Sequence, residues 1–127
     1  MYKVDAIEIR GMWPSVRTGL EVIQRRTQPD WIPEDIYCAL RNNTAFLYAK
    51  WPAFVVIQVL LAASGRTELF IWAAFGVGEL DENHEGVEDI ARDLDCQSIT
   101  FFSPRKGWAK NKLGYEEVHT LYRKYLT

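Results

Sequence analysis

Between residues 45 and 75 the chain carries three strand-like segments in close succession: AFLYAK (45–50), AFVVIQVLL (53–61) and TELFIWAAF (67–75). Trp51–Pro52 joins the first pair and a Ser64–Gly65 turn joins the second, spacings that predict an antiparallel meander. The second and third segments are apolar almost without interruption. A strand with one wet face alternates, so unbroken apolarity predicts a sheet covered on both faces. The rest of the chain must therefore supply helices for two sides of one sheet.

The flanking segments do so. Tyr2–Ile9 alternates as a strand that Arg10–Gly11 can end. Pro14 suits the first turn of a helix whose apolar face is Val16, Leu20 and Ile23 and which runs through Arg26. A second helix is predicted from Pro33, with Glu34 and Asp35 in its first turn, to Asn42–Asn43. After the meander, Val87, Ile90, Ala91 and Leu94 recur at helical spacing, with Asn83 as the expected cap. Gln97–Ser103 reads as a strand, and a short helix over Lys106–Leu113 stops at Gly114. Tyr115–Leu126 fits a helix through Val118, Leu121, Tyr122 and Tyr125, and fits a strand equally well.

A length of 127 residues suits a single domain over residues 1–127. Its 48% hydrophobic and 25% charged residues are those of a globular protein, which argues against a disordered adaptor. The net charge of −2 gives no global attraction for nucleic acid. Cys38 and Cys96 stand apart without metal-ligand spacing, so buried free thiols and no metal are expected. The N-terminus lacks the lettering of a signal peptide, and the apolar run 53–63 is about half a membrane span. A cytoplasmic protein is expected.

The stretch AFGVGELDENHEG (74–86) puts two glycines between a strand and a helix, a position where backbone N–H groups can hold a phosphate. Glu79, Asp81, Glu82, Glu85, Glu88 and Asp89 crowd that turn. A helix N-terminus favours an exposed anion by roughly 0.3–1 kcal/mol. Two like charges at about 4 Å repel by around 1 kcal/mol even in water. Unless the carboxylates point away, they cancel the attraction.

The order of strand, two helices, three antiparallel strands, helix, strand, short helix and strand resembles the GCN5-related N-acetyltransferase (GNAT) fold, an α/β (α+β) architecture with a mostly antiparallel mixed sheet flanked by helices. VEDIARDLDCQSITFFS and GWAKNKLGYEEVHTLYRK carry the local likeness, the second through its LGY turn. The texture also resembles small GNAT-like proteins of tailed phages. The resemblance implies a pyrophosphate loop of pattern R/Q-x-x-G-x-G/A, which maps the cofactor-binding candidates onto Phe75, Gly76, Val77, Gly78 and Glu79, without the preceding Arg or Gln. It also implies a carboxylate base on the central strands and a tyrosine acid. Glu68 lies at the start of its strand rather than inside it, and Tyr115 matches a packing position. His84 and His119 read as surface or edge residues. No nucleophile elbow, Walker loop or zinc spacing is present. A basic patch of Arg105, Lys106, Lys110 and Lys112 around Trp108 is a candidate anion or partner surface.

These observations favour a GNAT-like protein with a degenerate acetyl-CoA loop and no catalytic residues or cofactor. Its expected role is virion-associated or host-interacting, in host cytoplasm or virion. Its expected partners are proteins, virion components or further copies of itself, and not a membrane. The alternative is an acyl-CoA-dependent N-acetyltransferase that uses acetyl-CoA on an amine. A third reading is weak nucleic-acid binding through Arg105–Lys112.

Overall fold

The computed structural model describes residues 1–77, 82–103, 114–118 and 122–126, residue 82 by its backbone alone. The meander forms as its apolar runs and turns predict. β2 (Phe46–Lys50), β3 (Ala53–Leu61) and β4 (Thr67–Phe75) pair antiparallel, β1 (Tyr2–Val4) adds to β2, and β5 (Ser98–Phe101) adds parallel to β4. The sheet order is β1-β2-β3-β4-β5.

Helices α1 (Ile9–Thr27) and α2 (Pro33–Arg41) cover one face, and α3 (Glu82–Asp93) covers the other. β3 shows why its lettering does not alternate. Phe54 and Val56 bury against α1 and α2, while Val55 and Ile57 bury against α3. Both sets are dry, so both must be apolar. Val59, Leu60 and Leu61 depart from that expectation, because the end of β3 extends past the covering helices and is exposed.

Other boundaries also move. The expected strand 2–9 stops at Val4; a 3-10 turn at Ala6–Glu8 follows, and Ile9 opens α1. Arg10–Gly11 therefore lies inside the helix, and Pro14 sits past its first turn. An internal proline costs about 3 kcal/mol. Burying Ile9, at 1% exposure, returns about 1.5–3 kcal/mol, and Met12 and Trp13 add to it by packing on the same core. Tertiary burial thus overrides the local stop signal. Cys38 corrects another expectation: it is exposed on α2, and Cys96 is half-buried beneath α3. Burial, then the nearby Asp95, pushes the Cys96 thiol above its ordinary value.

The described parts of 115–126 form neither the helix nor the strand that their pattern allowed. The expected short helix 106–113 lies outside the described residues. Among the described residues no helix is long and apolar enough to cross a membrane.

Candidate active site at the end of β4 and the first turn of α3

β4 and β5 start together and then part. Their pairing runs from Glu68↔Ser98 to Ile71↔Phe101. β5 ends there, while β4 continues through Trp72, Ala73, Ala74 and Phe75. Backbone groups of 72–75 that face away from β3 therefore have no strand partner among the described residues. The divergence begins at a bulge. Ile57 pairs with Ile71 and Val56 with Ala73, so Trp72 is the extra residue. The bulge also shifts the alternation. Leu69 and Ile71 face α3, Trp72 and Ala73 both join the α1/α2 side, and Ala74 returns to α3.

Gly76 then turns the chain with φ +70°. A Cβ there would lie 3.1 Å from Ala53 Cβ and 3.2 Å from Ala53 Cα, so both the left-handed backbone and the close approach require glycine. Phe75 anchors the end of β4 by stacking on Phe54, with ring centroids 5.5 Å apart. Gly19 on α1 makes room for that pair, since a Cβ there would come within 2.6 Å of the Phe54 ring. Val77 packs into the core under α3. Of the five cofactor candidates, Phe75, Gly76 and Val77 thus form one turn; Gly78 and Glu79 lie outside the described residues. A groove of about 560 Å³ lined by Ser15, Thr18, Gly19, Trp51, Pro52 and Phe75 opens on the α1 side of this strand end.

Asn83 is not the cap of α3 but lies within the helix, and its Nδ2 donates to the Gly76 carbonyl at 3.0 Å. His84 departs furthest from expectation. It is 4% exposed rather than a surface residue. Its Nε2 lies 3.3 Å from Tyr115 Oη and 3.6 Å from Glu88 Oε1. The signal was present in the sequence. Position 84 precedes Val87 by three and Ala91 by seven, which places it on the buried stripe, and Glu88 follows at i+4. Tyr115 packs edge-on against both His84 and Phe101. Burial, then the Glu88 carboxylate, pushes its phenol up to about 12.

Two of the six acids that crowd this turn in the lettering share a cation. Glu88 and Asp89 are drawn to Arg92, at 3.1 and 3.2 Å, on the flank of α3. Such exposed pairs contribute little stability. Their effect is on direction and charge, because one cation holds both carboxylates to the flank and offsets one of their two charges. Glu68 bonds Ser98 Oγ at 3.0 Å at the closed end of the β4–β5 pair, away from the divergence. Arg105, Lys106, Trp108, Lys110, Lys112 and His119 all lie outside the described residues.

This architecture is the GNAT acetyltransferase fold, a mixed five-stranded sheet with helices on both faces. A ribosomal-protein-alanine N-acetyltransferase from Brucella melitensis biovar Abortus 2308 superposes with TM-score 0.63 at 12% identity, covering 98% of this chain and 96% of that one. A predicted acetyltransferase from Clostridium acetobutylicum, solved with acetyl-CoA, gives TM-score 0.56 at 13% identity over 97% and 93% of the two chains. An acetyltransferase from Trypanosoma brucei gives 0.54 at 14% identity over 98% and 96%. No protein-family model matches the sequence, and no curated protein matches it. At these identities the likeness is one of fold.

Proposed function

We propose that the protein is an acyl-CoA-dependent N-acyltransferase, with acetyl-CoA as donor and an amine as acceptor. The observation that carries this reading is the departure of β4 from β5 at the Trp72 bulge, which leaves a strand edge unpaired among the described residues and running into the Gly76 turn. An extended chain bearing amides can add to such an edge by main-chain hydrogen bonds. The pantetheine arm of coenzyme A is such a chain. Bound there, acetyl-CoA would supply an acyl group activated as a thioester.

The residues present fit this donor. Gly76 keeps the turn free of a Cβ, and the backbone N–H groups of Gly76 and Val77 stand beside the first turn of α3 as candidate pyrophosphate donors, with Gly78 and Glu79 following in sequence. Backbone groups of 72–75 would align the arm. The uncharged groove beside Phe75 and Trp51 offers the acceptor an approach from the α1/α2 side. That the fold neighbours are acetyltransferases, one of them solved with acetyl-CoA, supports the same choice.

The reading as a non-catalytic virion component rested on carboxylates crowding the loop, on the Arg or Gln missing ahead of Gly76, and on a likeness to small phage proteins. Arg92, paired with both Glu88 and Asp89, offsets one charge of the first of these grounds. Nucleic-acid binding rested on residues outside those described.

Ligand at 100 times its dissociation constant adds about 2.7 kcal/mol to stability. For a domain of this size that is a rise in Tm of several degrees. Acetyl-CoA is expected to produce that rise in a thermal melt, and coenzyme A a smaller or equal one. No rise at millimolar acetyl-CoA would sink the proposal.

A further inference from the structure

Two consecutive side chains of α3 reach toward the two strands whose separation makes the cleft. Asn83 donates to the carbonyl of Gly76, just past the end of β4. His84 meets the hydroxyl of Tyr115, whose ring packs at 5.1 Å and 77° against Phe101, the last residue of β5. Strand pairing holds β4 to β5 only as far as Ile71 and Phe101. Beyond that point their spacing depends on side-chain contacts such as these. Tyr115 Oη lies within hydrogen-bond reach of His84 Nε2 at 3.3 Å, and Glu88 Oε1 stands just beyond that reach at 3.6 Å. Buried at 4% exposure, the imidazole has little room to turn away.

We propose that His84 is a positioning residue for the acyl donor: through Tyr115 it sets how far the end of β5 stands from β4 and aims the first turn of α3 across the gap. This inference rests on the acyl-CoA reading above. It assigns His84 no proton transfer and no contact with the donor. Its effect travels through the Tyr115 ring to Phe101 and through the helix backbone to Asn83 and Gly76.

One hydrogen bond commands about two- to tenfold in an equilibrium that needs its geometry. Three substitutions separate positioning from simple folding support. Tyr115→Phe keeps the ring and removes the hydroxyl. His84→Leu removes the ring nitrogen, and His84→Gln restores an amide of comparable reach that can donate or accept. Calorimetric titration of the full chain with acetyl-CoA would give each dissociation constant, and hydrogen exchange over residues 82–91 would report the tether directly.

Wild type is expected to bind. Tyr115→Phe and His84→Leu should bind about two- to tenfold more weakly and exchange faster over 82–91, with His84→Gln recovering most of the loss. The double variant should be no worse than the weaker single one. Equal dissociation constants for wild type and the folded variants would overturn the inference alone, leaving the contact a packing feature. Failure of wild type to bind acetyl-CoA would overturn the acyl-CoA reading and this inference together. If His84→Leu does not fold, Tyr115→Phe decides.

Discussion

Tyr115 shows how a single side chain changes its meaning between sequence and fold. In the lettering it closes an LGY turn and reads as packing. In the structure it does pack, but its hydroxyl also meets His84 and its phenol is held up to about 12 against an ordinary 10.0, by burial first and the Glu88 carboxylate second. Below pH 10 the phenol is protonated in both folded and unfolded chains, so its contribution there is constant. Between about 10 and about 12 the folded state keeps a proton that the unfolded state has lost, so stability falls as pH rises through that window. Other groups titrate there too, so the readout is a difference. Urea unfolding of wild type and Tyr115→Phe from pH 9 upward should show wild type losing stability faster above pH 10. Parallel pH curves would refute this. His84 was misread for a related reason: a histidine before a run of acids looks solvated until its place on the Val87–Ala91 stripe is counted.

Among the elements, α2 was legible almost to the residue and α1 was not. Helix α2 begins at Pro33 as its letters predict and ends at Arg41, with Asn42 of the expected Asn42–Asn43 stop as its C-cap. Its first turn is closed by Asp35, whose Oδ2 accepts the Ile32 N–H at 3.0 Å, while the Asp35 N–H returns to the Ile32 carbonyl. Ile32 has no side-chain acceptor, so Asp35 supplies the only side-chain half of this cap. Asp35→Ala should therefore cost about 1 kcal/mol in urea unfolding, within the range for lost caps, with the acetyl-CoA affinity unchanged. A loss above about 3 kcal/mol, or a changed affinity, would mean that Asp35 does more than close a helix. Helix α1 instead begins five residues before the proline that its sequence suggested, because Ile9 is drawn into the core. Helix α3 was legible in its face but not in its start: Asn83 serves the Gly76 carbonyl from inside the helix rather than capping it.

At the scale of the whole molecule, the described residues form two cores separated by one sheet. Val16 lies fully buried in the α1/α2 core and Val87 fully buried in the α3 core. Replacing either with alanine should cost about 2 kcal/mol. Because the two sites share no packing partner within one core, the double variant should lose the sum to within about 0.5 kcal/mol. A larger discrepancy in denaturant unfolding would show that the sheet transmits strain between its faces. The meander, its two turns, the coverage of both faces and helix α2 were readable from the letters, because each rests on local periodicity or on turn and cap chemistry. The letters also carried the place of the Gly76 turn between β4 and α3. What the tertiary structure alone decided is the cleft. The Trp72 bulge, the parting of β4 from β5 and the His84–Tyr115 contact all depend on partners distant in the chain. An apolar run such as LFIWAAF has the same letters with or without a bulge. Which residue steps out of register is settled only when β3 and β5 are in place beside it, and the glycines after it acquire a purpose only then.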